Sequence, residues 1–137
     1  YAIAQDPSGN AIEILSRPGQ PAEVGGSKLI VADREKVEAW FTKIFQVQPL
    51  RRYQTSSYDE VLLDFGDGAF LALFQPLRED PLPKSRYPVV AIYSTDFEAI
   101  KARVDAEGLG SRGIASETMN IIIAQDPSGN AVEVIAR

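Results

Sequence analysis

IIIAQDPSGNAVEVIAR closes the chain at residues 121–137, and YAIAQDPSGNAIEILSR opens it at residues 1–17. The two stretches match at a constant offset of 120, with eleven of seventeen positions identical: Ile3, residues 4–11, Glu13 and Arg17. Each places an Asp-Pro-Ser-Gly turn between two apolar strands, with Pro presetting φ and Gly tolerating a positive φ, so each reads as a β-hairpin. A period of that length is a whole domain, too long for a solenoid unit. Residues 1–17 therefore read as the closing hairpin of a preceding, similar domain, residues 18–26 (PGQPAEVGG) as a Pro- and Gly-rich linker, and residues 27–137 as one domain. The other reading is a single protein that duplicated a hairpin. An isolated two-stranded hairpin is marginal in water. Residues 1–17 are thus expected to be disordered or to pair with another chain's sheet edge, giving a homodimer by hairpin exchange.

Within 27–137 one pattern occurs twice. SKLIVA (27–32) is a short β-branched strand, followed by Asp33 as a helix N-cap. Val37, Trp40, Phe41 and Ile44 fall at i, i+3, i+4 and i+7, one apolar helical stripe. PLRRYQTSS (49–57) reads as a strand, and VLLDF and AFLALF flank Asp67-Gly68, a tight hairpin turn. Residues 75–88 carry four prolines and break regular structure. Then VVAIYS (89–94) is a strand, Asp96 an N-cap, and Phe97, Ile100 and Val104 a helical face stopped by Gly108. GSRGIASE, MNIIIAQ and AVEVIA are the closing strands. The order βαβββ, twice, predicts an α+β domain of two similar modules, 27–76 and 86–137, joined by a loop at 77–85.

Composition narrows the chemistry. The net charge is −5, from 14 basic and 19 acidic residues, which disfavours nucleic acid. No apolar run approaches a membrane span, and no secretory pattern opens the chain, so a cytoplasmic protein is expected. There is no cysteine and no histidine. Disulfides, thiolate chemistry, Ser-His-Asp triads and histidine-based zinc or iron sites are excluded together.

Paired βαβββ modules, the DPSGNAVEV ending, and strands that end in an Asp opening a helix (LIVAD–REKVEAWF and AIYSTD–FEAI) resemble the vicinal-oxygen-chelate superfamily of glyoxalases, bleomycin-resistance proteins and extradiol dioxygenases. The resemblance covers 27–137, and its tail also 1–17. It implies a concave mixed sheet that holds the ligand, with helices on the outer face. It also implies four ligand positions in metal-using members, which fall here on Gly26, Ala72, Val89 and Glu133. A register slip offers Ser27, Lys28 or Tyr87. Only Glu133 is a usable donor, and one carboxylate does not make a transition-metal site. No metal and no cofactor are therefore expected.

Strand alternation puts Lys28, Ile30, Ala32, Phe70, Ala72, Phe74, Val89, Ala91, Tyr93, Ala131, Glu133 and Ile135 on the concave side. Leu29, Val31, Val90, Ile92, Val132 and Val134 belong beneath the helices. The ligand-binding candidates are Lys28, Ile30, Phe70, Ala72, Phe74, Val89, Tyr93 and Glu133, a mainly apolar and aromatic wall suited to a small, partly aromatic molecule. Equally, these rings could simply fill a core. Glu133 stands between valines, where desolvation raises a carboxyl pKa, so it is a candidate general base. Alternatively it is ion-paired with Lys28, or vestigial. The leading expectation is a metal-free binding protein of the bleomycin-resistance type. The alternatives are a lyase, isomerase or dioxygenase using Glu133 as base or metal ligand, and a degenerate structural domain of a tandem protein.

Overall fold

In the computed structural model the described residues are all except 1, 9, 15–17, 20, 22–23, 79–89 and 116–118, with the side chain of residue 3 also left aside. A hairpin comes first: β1 (Ala2–Gln5) pairs antiparallel with β2 (Ala11–Ile14) as a separate two-stranded sheet. The next module runs β3 (Gly26–Ile30), α1 (Arg34–Phe45), β4 (Gln48–Gln54), β5 (Tyr58–Asp64) and β6 (Phe70–Pro76). The last runs β7 (Ala91–Ser94), α2 (Phe97–Glu107), β8 (Ser111–Ala115), β9 (Asn120–Gln125) and β10 (Ala131–Ala136). Each module forms its own four-stranded mixed sheet of the same order, β3-β6-β5-β4 and β7-β10-β9-β8, with the first strand parallel to the last. The expected α+β architecture of two βαβββ modules is what the chain adopts.

Local chemistry explains the element ends. The Asp33 carboxylate accepts the Lys36 backbone N–H at 3.1 Å, satisfying one of the amides that a helix start leaves open. Asp96 departs from the expectation: its backbone is not extended (φ −95°, ψ 24°), and its side chain makes no capping bond. Gly108 ends α2 in the left-handed region, where glycine carries no Cβ penalty. Asp67 and Gly68 both have positive φ, as a type I′ hairpin turn requires.

One core unites the modules. Leu29, Val31, Val61, Leu63, Leu71 and Leu73 of the first sheet lie against Val37, Phe41 and Ile44 of α1, all almost fully buried. Ile122, Ala124, Val132 and Val134 of the second do the same against Ile100 and Val104 of α2. Burying each of the larger side chains contributes about 1.5–3 kcal/mol. The two helices touch, and the Arg103 guanidinium donates to the Ile44 carbonyl at 2.6 Å. Leu29, Val31, Ile92, Val132 and Val134 are thus on the helix side as read from alternation, and Val90 packs partly buried against the same core.

The expectation that residues 1–17 would be disordered needs correction: Ala2–Gln5 pair with Ala11–Ile14. The register of this hairpin is that of β9–β10 shifted by 120, with Gln5 facing Ala11 as Gln125 faces Ala131. Residues 15–17, also part of the duplicated stretch, lie outside the described residues.

Candidate functional site

Each sheet turns one face to the helices, leaving the other to build a site. On the first sheet, Lys28 pairs with Ala72, and Ala72 with Leu62; beside them Ile30 pairs with Phe74, and Phe74 with Glu60. Lys28, Ile30, Phe70, Ala72 and Phe74 therefore share the face away from the core, as read from the sequence. Ala72 is only 1% exposed, while Ile30, Phe70 and Phe74 are half-buried. The Tyr58 ring stacks on Phe74 at 5.1 Å, and the Lys28 ammonium lies 5.1 Å from the Phe74 centroid on the same face.

Lys28 does not pair with Glu133, contrary to one expectation. Its Nζ lies 2.9 Å from the Glu60 carboxylate and 3.0 Å from Glu13 of the leading hairpin. Glu60 is 8% exposed, so Lys28 neutralises a nearly buried carboxylate. Burial pulls the lysine pKa down, but the attraction of Glu60 and then Glu13 outweighs it and holds Lys28 above its ordinary value.

On the second sheet Ala91, Glu133, Ile123 and Arg112 form one cross-strand row and Tyr93, Ile135 and Ile121 the next. Tyr93 is 58% exposed, with the Arg137 guanidinium 5.9 Å from its ring. Glu133 is half-buried and has neither an ion pair nor a side-chain hydrogen bond among the described residues. Val89 lies outside the described residues.

Sequence reading missed Glu60 and Tyr58. Both precede VLLDF with the alternation Tyr58, Glu60, Leu62, so extending that strand by three residues would have found them. A cleft of about 390 Å³ between the modules is lined by Phe45, Val47, Phe65, Ile92, Tyr93 and Ile100, and shares only Tyr93 with the predicted wall. A broader one, about 740 Å³, lies between α1 and β4; its Arg34, Glu38 and Arg52 are already paired with one another, which leaves it little free charge.

The modules also meet at the Asp126 turn. Asn130 Nδ2 donates to the Ile30 carbonyl at 3.0 Å, and the Ala32 N–H donates to Ser128 Oγ at 2.9 Å. Two sheets of order 1-4-3-2, helices meeting in one core and this cross-module seam decide the architecture. It is the vicinal-oxygen-chelate fold. The chain is similar to a glyoxylase/bleomycin resistance protein/dioxygenase domain from Frankia sp. EAN1pec, with a TM-score of 0.70 and 17% identity over 85% of this chain and 93% of that one. It is also similar to the fosfomycin resistance protein FosX from Listeria monocytogenes, with a TM-score of 0.67 and 17% identity over 84% and 93%. The lactoylglutathione lyase from Agrobacterium tumefaciens gives 0.64 and 20% over 85% and 95%. No protein-family model matches the sequence, and no curated protein matches it. At these identities the likeness shows the vicinal-oxygen-chelate fold alone.

The metal question turns on the donors. Gly26 is where the resemblance puts the first ligand position, and a Cβ built there would lie 2.2 Å from the Phe70 carbonyl oxygen, so no donor side chain fits there without moving β6. Ala72 offers no donor, which leaves Glu133. Among the described residues no three of His, Cys, Asp and Glu cluster closely enough to hold a metal ion. Among the described residues, the donors at these positions do not fit a vicinal-oxygen-chelate metal.

Proposed function

We propose that this protein binds a small, partly aromatic organic molecule on the sheet faces opposite its helices, without a metal. The supporting observation is that the rings on those faces are not consumed by the core: Phe70 and Phe74 are half-buried on the first sheet, and Tyr93 is largely exposed on the second. Such a surface gives a flat ligand apolar area and ring contacts. Lys28 and Glu133 supply the polar groups that would orient it. FosX is described in complex with Mn(II); Gly26 and Ala72, which carry no donor atom where the resemblance puts ligands, support a metal-free reading here. The catalytic alternative would rest on Glu133 alone, with no second titratable group paired to it among the described residues.

The test is ligand-observed NMR with a panel of small aromatic molecules, alongside Tyr93→Ala and Phe74→Ala. Saturable binding weakened at least tenfold in either variant is expected. If no panel member binds saturably, or if the protein takes up one equivalent of Mn(II) or Zn(II) that Glu133→Gln abolishes, the reading is wrong.

A further inference from the structure

We infer that the leading hairpin β1–β2 is a second occupant for the slot now filled by β9–β10, so that one chain can close its fold in two frames. This holds whatever the sheet faces bind.

The slot is the place beneath α2 and beside β7 where Ile122, Ala124, Val132 and Val134 are buried. The matching face of the leading hairpin is Ala2, Ala4, Ile12 and Ile14, and it is exposed: Ile12 by 47% and Ile14 by 53%. What covers such a face is stated by the copy that is covered, an α2-like helix and a parallel β7-like strand. The polar groups that the Asp126 turn brings to the module seam are also duplicated. Asp6 accepts the Ser8 and Asn10 N–H groups and the Asn10 amide at 2.8 Å, as Asp126 does from Ser128 and Asn130 at 2.8–2.9 Å. Asn10 and Ser8 thus carry the atoms with which Asn130 and Ser128 reach Ile30 and Ala32.

Connectivity permits the exchange. In the present frame β6 passes to β7 through residues 77–90. With β1–β2 in the slot, β2 would pass to β3 through residues 15–25, again joining the last strand of one module to the first of the other, over 11 residues against 14. The opening would fall between β8 and β9, releasing 120–137 as the new free hairpin. A link this short gives an effective concentration on the order of millimolar, so exchange within one chain outruns exchange between chains. Glu13 of the leading hairpin pairs with Lys28 of the body, both side chains more than a third exposed, and a pair of that kind is weak.

The two occupants are not equal. Ala2 replaces the buried Ile122 and would leave a cavity, so β9–β10 holds the slot in most molecules.

The experiment is thermal unfolding of the full chain with a buried charge placed in either copy. Val132→Asp disables the closing hairpin. The chain should still unfold cooperatively, with Tm lowered by roughly 5–15 °C, and adding Ala2→Ile should recover part of that loss. Ile12→Asp alone should leave Tm unchanged, whereas Val132→Asp with Ile12→Asp should abolish the transition. The inference is overturned if Val132→Asp with Ala2→Ile gives no cooperative transition, or if the double Asp variant unfolds like Val132→Asp alone. It is also overturned if rescue appears only as protein concentration rises a hundredfold and a dimer elutes, because the hairpin would then come from a second copy.

Discussion

Asn130 and Ile30 are one hundred residues apart and joined by a 3.0 Å hydrogen bond from the Asn130 amide to the Ile30 carbonyl. Asn130 is also bound to both oxygens of Asp126, which is itself 2% exposed. The amide is therefore one of the clamps between the modules. Asn130→Ala would remove it, leaving buried acceptors without their donor at a cost of about 1–3 kcal/mol. Asn10 makes the same local bonds in an exposed turn. Asn10→Ala should shift stability by less than about 0.5 kcal/mol. Urea denaturation of the two variants checks the contrast, and equal losses would contradict it.

Which parts of this were legible beforehand follows the range of the interactions involved. Val37, Trp40, Phe41 and Ile44 declare their helix by spacing alone, because burial of one stripe is a local pattern. Leu29 and Val31 on one face, with Lys28 and Ile30 on the other, follow from strand alternation. The Asp33 cap was readable and the Asp96 cap misleading, since capping needs an extended backbone that residue type does not guarantee. The Lys28 partners were out of reach: Glu60 and Glu13 become neighbours only through strand pairing and hairpin placement, which no spacing encodes.

That capping difference is itself measurable. Asp33→Ala should lower Tm measurably, because the Lys36 amide loses its acceptor. Asp96→Ala should leave Tm nearly unchanged. A thermal scan in which Asp96→Ala is the more damaging would overturn the assignment of caps.

Lys28 ties a nearly buried carboxylate to the open face. Lys28→Met should cost about 1–2 kcal/mol, below the range for fully buried pairs because solvent reaches the ammonium. Adding Glu60→Gln should restore most of it. The folded lysine pKa is raised, so its stabilisation is complete below about pH 10.5 and fades as pH rises through the higher folded value. Above about pH 10.5, wild type should lose stability more steeply than the double variant.

Acid should act at the other end of the first module. The Glu38 carboxylate is hydrogen-bonded by Arg52 and, against the opposing effect of burial, by Arg34, which holds its pKa below the ordinary 4.5. A depressed carboxyl pKa stabilises the fold above the unfolded value and ceases to do so as pH falls through the folded one. Stability measured by urea midpoint should therefore decline from about pH 4.5 downward, and Glu38→Gln should flatten that part of the profile. Parallel profiles would show that the Arg34–Glu38–Arg52 network contributes nothing to acid sensitivity.

Gly26 and Gly113 separate steric need from mere tolerance. A Cβ at Gly26 meets the Phe70 carbonyl at 2.2 Å and the Phe70 ring at 2.8 Å, and the carbonyl belongs to a paired strand that cannot retreat without breaking the β3–β6 ladder. Gly26→Ala should cost about 3 kcal/mol, near the upper end for overpacking. Gly113, on the exposed strand β8, meets nothing within 4 Å, so Gly113→Ala should be neutral or slightly stabilising, because it narrows the unfolded ensemble. Gly26→His should be as damaging as Gly26→Ala and should not create divalent-metal affinity, since the imidazole has no room to settle beside Glu133's sheet without displacing β6. A Gly26→His variant that stays folded and binds Zn(II) stoichiometrically would show that glycine at this position is a choice of residue and no barrier, and the metal-free reading would lose its steric footing.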